Sequence, residues 1–163
     1  MLKLSRLLFT LALLWVAVMV SHAQDENPYA GIPMSRGEDG AFIIGDPSAD
    51  VKIIEFSDFL CPHCQTYNEQ VIKPFIEEYV ATGQSQFEYR MVLVIDQNIS
   101  AVTANLVECA DMQSEGLFWH AHDVMFDIIE QNSFTETTIS DFAGQLNLDE
   151  TELISCVQTV SQF

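Results

Sequence analysis

Apolar residues beyond residue 40 first form short runs and then, toward the end of the chain, widely spaced stripes. The run VKIIEFS at 51–57 is rich in Val, Ile and Phe and predicts a strand, and AFIIG at 41–45 predicts a short edge strand. The segment FEYRMVLVI at 87–95 alternates and then becomes fully apolar, which predicts a central strand. Three strands are therefore expected before residue 96.

Helices are predicted between and after these strands. One begins at the tetrapeptide CPHC, because Pro62 suits the first turn of a helix, and Pro74 is expected to kink or break it. From residue 98 onward, apolar side chains recur with helical spacing. The clearest stripe consists of Phe118, Ala121, His122, Met125, Phe126 and Ile129. An order of β-β-α-β followed by helices predicts the α/β class.

The first residues have the pattern of a secretory signal peptide. Lys3 and Arg6 precede an apolar run at 7–20, and Ser21-His22-Ala23 has the small-residue pattern of a cleavage site. We expect cleavage after Ala23, so that residues 1–23 are removed and the protein is periplasmic or otherwise exported. The alternative is an uncleaved anchor, although the run is shorter than the roughly 20 residues that a membrane span needs.

The remaining chain divides into a lead-in and a folded domain. Residues 24–40 are polar and rich in Gly and Pro, which predicts a flexible N-terminal segment. Residues 41–163 are expected to form the domain. Without residues 1–23 the chain keeps 24 acidic residues against four basic ones, a net charge of −20. Such a surface repels nucleic acid and anionic lipid, so a nucleic-acid partner is not expected.

Cys61 and Cys64 are the candidate reactive residues. A cysteine at the N-terminus of a helix faces unpaired backbone N–H groups and the positive end of the helix dipole, which favour the thiolate. Cys61 is therefore expected to be the exposed nucleophile, with His63 as a nearby positive charge or proton donor. Cys64 is expected one helical turn deeper, as the resolving thiol. A structural disulfide and half of a zinc site, which would need two further ligands, are the alternatives.

The sequence resembles the DsbA-like thiol-disulfide oxidoreductases from about Phe42 to Cys156. The segments that carry the resemblance are VKIIEFSDFLCPHC, GQSQFEYRMVLV, NLVECADMQSEGLFWHAHDVMF and FAGQLNLDETELISC. The resemblance implies a thioredoxin-like fold with an inserted helical domain at about 98–163. It also implies that Cys61 attacks, that Cys64 resolves, and that the intervening Pro62-His63 stabilises the thiolate.

The same family has an acidic residue on the strand that leads into the cysteines. Glu55 fills this position, and a buried carboxyl there would have a raised pKa and could take a proton from Cys64. A solvent-facing Glu55 paired with Lys52 is the alternative. Asp58 is a second candidate for the acidic residue.

The resemblance stops before the end of the family's fold. The family continues with a cis-proline loop facing the cysteines, two more strands and a closing helix, and no proline follows Pro74 in this chain. We therefore expect an incomplete copy of the domain, with the C-terminal strands and the cis-Pro loop missing. An unpaired sheet edge should result.

The other two cysteines, Cys109 and Cys156, lie on apolar faces of predicted helices. A disulfide between them would fit an exported protein, and two buried free thiols are the alternative. His120 and His122 are two residues apart and point to different sides of a helix, so no metal site is expected there. No cofactor is expected.

The sequence therefore predicts an exported dithiol oxidase that passes its Cys61–Cys64 disulfide to reduced client proteins. A membrane-bound partner would reoxidise the pair, as the family resemblance implies. A reductase or isomerase using the same pair is one alternative. A non-catalytic, chaperone-like binding module is the other, although such a module has no need of an activated thiol.

Overall fold

The computed structural model describes residues 27–160, and the predicted signal peptide and its cleavage site lie outside the described residues. Four strands form one sheet. They are β1 (Met34–Arg36), β2 (Phe42–Gly45), β3 (Val51–Ser57) and β4 (Ser85–Met91). Their order in the sheet is β1-β2-β4-β3, and only β3 and β4 run parallel. The bounds of β3 are those predicted from the sequence.

The sheet corrects the position of one predicted strand and the length of another. The segment at 41–45 was expected at the edge, but β2 lies between β1 and β4. The prediction of a central strand at 87–95 is correct in position, since β4 lies between β2 and β3, but β4 ends at Met91. Residues 92–95 leave the sheet, and Val94 and Ile95 donate their backbone N–H groups to the Asp58 carboxylate instead of to a strand.

β1 is an additional strand within the segment that was expected to be flexible. Arg36 at its end forms a double hydrogen bond with the carboxylate of Glu108, with Nη1–Oε2 at 3.0 Å and Nη2–Oε1 at 2.8 Å. The guanidinium also lies 3.6 Å from the centroid of the Phe42 ring. These contacts join two distant parts of the chain. The polar, Gly-rich composition of residues 24–40 does not predict them.

The helix that follows β3 begins at Pro62, as predicted, but continues past Pro74. It runs as Pro62–Tyr67 and Lys73–Phe75, with π-helical turns at Asn68–Ile72 and Ile76–Val80. A π turn widens the helix locally, and here one such turn lies on each side of the proline. Of the kink or break predicted at Pro74, the break is wrong, because the helix continues through this residue, which lacks an N–H donor.

Four further helices follow the sheet, at Gln97–Gln113, Phe118–Asn132, Thr138–Leu146 and Glu150–Thr159. The predicted stripe on the Phe118–Asn132 helix is correct, since all six of its side chains are buried. This helix covers the sheet, with the ring of Phe118 stacked 3.2 Å from that of Phe42 on β2. The α/β class is confirmed, with the sheet on one side and a helical layer built from the second half of the chain.

The strand β3 exposes apolar side chains. Val51, Ile53, Ile54 and Phe56 are 49%, 37%, 51% and 64% exposed. Within the described residues β3 pairs with β4 alone, so its other edge has no strand beside it. No helix within residues 27–160 combines the length and the apolar character that crossing a membrane requires.

Candidate active site

The CPHC tetrapeptide lies where β3 ends and the next helix begins. Cys61 occupies the N-cap position, with an extended backbone, and Pro62 is the first helical residue. Cys61 and Cys64 are not joined by a disulfide in this structure, and both side chains are half-buried. Pro62 and His63 are exposed. The Cys61 side chain makes no capping hydrogen bond to the first N–H groups of the helix.

Asp58 holds the loop that carries the cysteines. Its carboxylate is buried and accepts hydrogen bonds from the backbone N–H groups of Leu60, Val94 and Ile95, at 2.9 to 3.0 Å, and from the Ser100 hydroxyl at 2.8 Å. Asp58 thereby ties the loop before Cys61 to the segment after β4. Its role in this structure is positional, and nothing in the local sequence distinguishes it from a surface turn residue.

Cys64 lies deeper than its partner. Burial raises the pKa of the Cys64 thiol, the contact with Cys61 adds to this, and the nearby Ser57 hydroxyl opposes it. A raised pKa means that Cys64 is a neutral thiol when reduced and takes up a proton whenever it is released as a thiolate. Cys61 at the N-cap and Cys64 within the first helical turn thus occupy different positions in the site.

Glu55 lies on the same face of the sheet as the buried Tyr89, since the two residues are register partners on β3 and β4. Burial raises the pKa of the Glu55 carboxyl, while the charge of His122 and the nearby Ser57 hydroxyl oppose the rise. Glu55 and Cys64 both act on Tyr89, whose pKa is raised mainly by burial and further by these two groups. The Glu55 carboxyl and the Cys64 thiol thus both lie near Tyr89. Lys52 is not the partner of Glu55 among the ion pairs of the described residues.

The sequence did not indicate that His122 belongs to this site. Its ring is 1% exposed and lies 4.4 Å, edge-on, from the ring of Tyr89. His120 is half-exposed, so the two histidines do point to different sides of the helix. The available signal was a histidine inside an apolar stripe, directly followed by Asp123, which is a costly arrangement unless both groups are paired.

The second cysteine pair lies in the helical layer. Cys109 and Cys156 are joined by a disulfide between the Gln97–Gln113 and Glu150–Thr159 helices, with their Cα atoms 5.9 Å apart. Cys109 is fully buried. Within residues 27–160, no three His, Cys, Asp or Glu side chains are arranged to hold a metal ion.

A model of the family described as thioredoxin matches residues 38–162, which is most of the chain. The chain belongs to the thioredoxin family. The match begins just before β2, so it leaves out β1 and includes the other three strands, CPHC and the whole helical layer. The predicted thioredoxin-like fold with a helical insertion is therefore confirmed.

Two curated relatives come from Bacillus. The chain is 31% identical over 96 residues to a probable disulfide bond formation protein D of Bacillus cereus, covering 58% of this chain and 41% of the relative. It is 24% identical over 106 residues to disulfide bond formation protein D of Bacillus subtilis, covering 64% of this chain and 45% of that protein. The chain thus matches less than half the length of these relatives.

Solved structures give the same fold. The α-DsbA1 of Wolbachia pipientis superposes with a TM-score of 0.61 at 23% identity, covering 72% of this chain and 59% of that one. MdbA, a thiol-disulfide oxidoreductase of Corynebacterium diphtheriae, gives a TM-score of 0.62 at 15% identity, covering 83% and 75%. The predicted resemblance to DsbA-like proteins therefore holds for the fold.

Proposed function

We propose that the protein is an exported thiol-disulfide oxidoreductase, and specifically a dithiol oxidase that uses Cys61 and Cys64. The single observation that carries the proposal is the asymmetry of the pair. Cys61 caps the N-terminus of a helix beside exposed residues, whereas Cys64 lies one turn deeper with a raised pKa. The names of the Bacillus relatives, which are disulfide bond formation proteins, support the same chemistry.

The reaction starts from the Cys61–Cys64 disulfide. A client thiolate attacks the sulfur of Cys61, the bond between the two cysteines breaks, and Cys64 leaves with the electron pair. Cys64 then takes a proton, because its buried thiol has a raised pKa. A second client thiolate attacks the client sulfur of the mixed disulfide and releases Cys61 as a thiolate. The client is oxidised by two electrons, and the pair is reduced by two.

The N-terminal helix position of Cys61 supports the oxidising direction. Unpaired backbone N–H groups and the helix dipole stabilise a thiolate at this position, and stabilising the reduced thiolate makes the disulfide a stronger oxidant. The exposed His63 beside it adds a proton donor or a positive charge. Reduced client proteins are the proposed substrates, and a membrane-bound reoxidant is the proposed partner that restores the disulfide.

Export is part of the proposal, because a dithiol oxidase works only where its product disulfides persist. The basic and apolar residues at 1–23 support it, with cleavage after Ala23. Mass spectrometry of the protein recovered from the cell envelope tests this directly. A mature N-terminus at Gln24 is the expected result, and protein that stays in the cytosol with residues 1–23 attached would contradict export.

Trapping of the mixed disulfide tests the assignment of the two roles. The Cys64→Ser variant, with Cys61 first oxidised to a mixed disulfide with glutathione, should form a covalent adduct with a client that has a single cysteine. The client thiolate attacks the Cys61 sulfur, glutathione leaves as a thiolate, and neither Cys64 nor a second client thiol is present to release the client. The Cys61→Ser variant should form no adduct with the same client. Non-reducing gels detect the adduct. Equal amounts of adduct in the two variants, or no adduct in either, would contradict the proposal.

A further inference from the structure

A cavity of about 540 Å³ opens between three parts of the fold. One wall is the chain at 28–32, the second is the later part of the helix that follows β3, and the third is the Phe118–Asn132 helix. Its volume lies within the range of about 300–1,000 Å³ that is usual for small-molecule sites. The first wall belongs to the segment that was expected to be flexible, so no local pattern in the sequence indicated this cavity.

The cavity is separate from the CPHC site. Cys61 and Cys64 do not line it, and the first residue of their helix that does is Lys73, nine residues after Cys64. At 1.5 Å of rise per residue, nine residues of helix span roughly 13 Å. A molecule bound in the cavity therefore does not touch the reacting sulfur atoms, and its binding does not depend on the proposed oxidoreductase function.

The inner surface of the cavity is apolar. Ile76 and Val124, one from each of the two helices, are buried in the core and line the cavity. Ile32, from the N-terminal wall, packs against the same core. An apolar group placed against these side chains is removed from water, which is the main favourable contribution in most small-molecule sites.

The charged residues of the cavity carry an excess of negative charge. Among the described residues, three carboxylates line it, those of Glu77, Asp123 and Asp127, against the single ammonium group of Lys73. The net charge of the lining is therefore −2 when His120 is neutral. This charge attracts a cation and repels an anion.

Lys73 does not offset the charge around Asp127. Its ammonium group lies 3.2 Å from Oδ1 of Asp127 and also donates to Glu69, a further carboxylate beside the cavity. Burial raises the pKa of the Asp127 carboxyl, and the charges of Glu69 and Asp123 raise it further, while Lys73 opposes the rise. Asp127 thus has too little positive charge near it to compensate for its burial.

Asp127 is also the carboxylate that is best placed to bind a ligand. Asp123 is already engaged, because Tyr29 donates to its Oδ2 and Asn68 donates to its Oδ1 at 3.2 Å. Glu77 is exposed, so solvent screens its attraction for a cation. Oδ2 of Asp127 accepts no hydrogen bond from residues 27–160 and has the capacity to accept one from a ligand.

We propose that this cavity binds a small organic cation, namely a protonated amine on an apolar body. The ammonium group donates to Oδ2 of Asp127, and the charge of Glu77 at the rim adds to the attraction. The apolar body lies against Ile76 and Val124. A neutral molecule of the same shape lacks the ion pair with Asp127, and an anion is repelled by the charge of the lining.

The first test is a titration of the full chain with hexylamine, which is protonated at pH 7, followed by the methyl chemical shifts of Ile76 and Val124. Both methyl signals should shift, and 1-hexanol should bind about tenfold more weakly because it lacks the charge-assisted hydrogen bond. Hexanoate should not bind. Equal affinities for hexylamine and 1-hexanol, binding of hexanoate, or shifts that leave Ile76 and Val124 unchanged would each overturn the proposal.

The second test uses variants of the carboxylates, with affinities measured by calorimetry. Asp127→Asn should weaken hexylamine binding by about tenfold and leave 1-hexanol binding unchanged. Glu77→Gln, at an exposed position that tolerates substitution, should weaken hexylamine binding by about twofold. Glu130→Gln is the matched control, since Glu130 is an exposed carboxylate on the same helix as Asp127 and lies outside the cavity. Equal hexylamine affinities in all three variants would overturn the proposal.

A third variant separates this site from the proposed function. Cys61→Ser should bind hexylamine with unchanged affinity, whether or not the protein oxidises clients. Loss of hexylamine binding in Cys61→Ser would place the ligand at CPHC and would overturn the proposal. A failure of client oxidation together with normal hexylamine binding would contradict the oxidase function alone and support the amine site.

Discussion

Cys61 and Cys64 lie three residues apart at the start of one helix, whereas Cys109 and Cys156 join two helices across 47 positions. The first pair is half-buried beside exposed residues, and the second includes the fully buried Cys109. A short loop next to solvent favours a disulfide that other thiols can reach, whereas a long loop closed in a core stabilises the fold. Identical side chains thus take different roles because of position alone.

Disabling each cysteine pair in turn gives the largest contrast. Cys61→Ser should reduce client oxidation to the uncatalysed rate, because the Cys61–Cys64 disulfide that oxidises the client can no longer form. The double variant Cys109→Ser/Cys156→Ser should keep client oxidation at temperatures where it remains folded. Rates of disulfide formation in a reduced model client measure both. Substantial client oxidation by the Cys61→Ser variant would contradict the different roles of the two cysteine pairs.

The same double variant should lose stability. The chain-entropy account gives about 4 kcal/mol for a loop of this length, so urea unfolding should show a loss near that value. Cys61→Ser, measured in parallel under reducing conditions, should change the unfolding free energy far less. Equal losses in the two variants would mean that the CPHC pair is as structural as the helical one.

Asp58 is a further difference between the two cysteine pairs. Its hydrogen bonds position the loop before Cys61 and do not involve Cys109 or Cys156. Asp58→Ala leaves three backbone N–H groups and a buried hydroxyl without their acceptor. We expect a loss of about 3 kcal/mol in unfolding free energy. Client oxidation should also slow at temperatures where the variant is folded, since the cysteine loop is no longer tied to residues 94–95. Asp39→Ala, at an exposed carboxylate, is the matched control.

Glu55 should give the smallest effect and one that depends on pH. Its pKa is raised by burial, so the folded protein binds this proton more tightly than the unfolded chain does. The contribution of Glu55 to the free energy of unfolding is therefore present at low pH and is lost as the pH rises through the raised pKa. Glu55→Gln should stabilise the protein at neutral pH by on the order of 1 kcal/mol, with no gain under acid conditions. Urea unfolding at pH 4 and pH 7 measures this, and a gain at pH 4 alone would contradict it.

The parts of the structure that were predictable are those that local pattern determines. The apolar run of β3, the start of the helix at Pro62 and the stripe that contains His122 each express a single periodicity or a single turn preference. β1 was missed because its own composition does not show the contacts that it makes, which are its pairing with β2 and the ion pair of Arg36 with Glu108, 72 residues away. The inner position of β2 was missed for the same reason, since an edge is defined only once every strand of the sheet is known.

The sequence predicted those parts of the site that lie close together along the chain. Cys61 and Cys64 stand together in the chain, and Glu55 follows from a family resemblance. The position of Glu55 beside Tyr89 comes from the register of β3 against β4, and that of His122 on Tyr89 comes from the helix that covers them. No local pattern in the sequence contains either. β3 also buries Ser57 while exposing Ile54 and Phe56, the reverse of the usual preference. This reversed pattern of burial is set by the tertiary structure around β3 and not by the sequence of the strand.

The direct test of the central claim is the redox potential of Cys61 and Cys64, measured in glutathione buffers by alkylation and mass analysis at each cysteine. The account predicts a potential less negative than about −180 mV, which is that of a disulfide donor. Cys109 and Cys156 should stay unalkylated across the same range. A potential below about −250 mV would identify a reductase and contradict the proposed function.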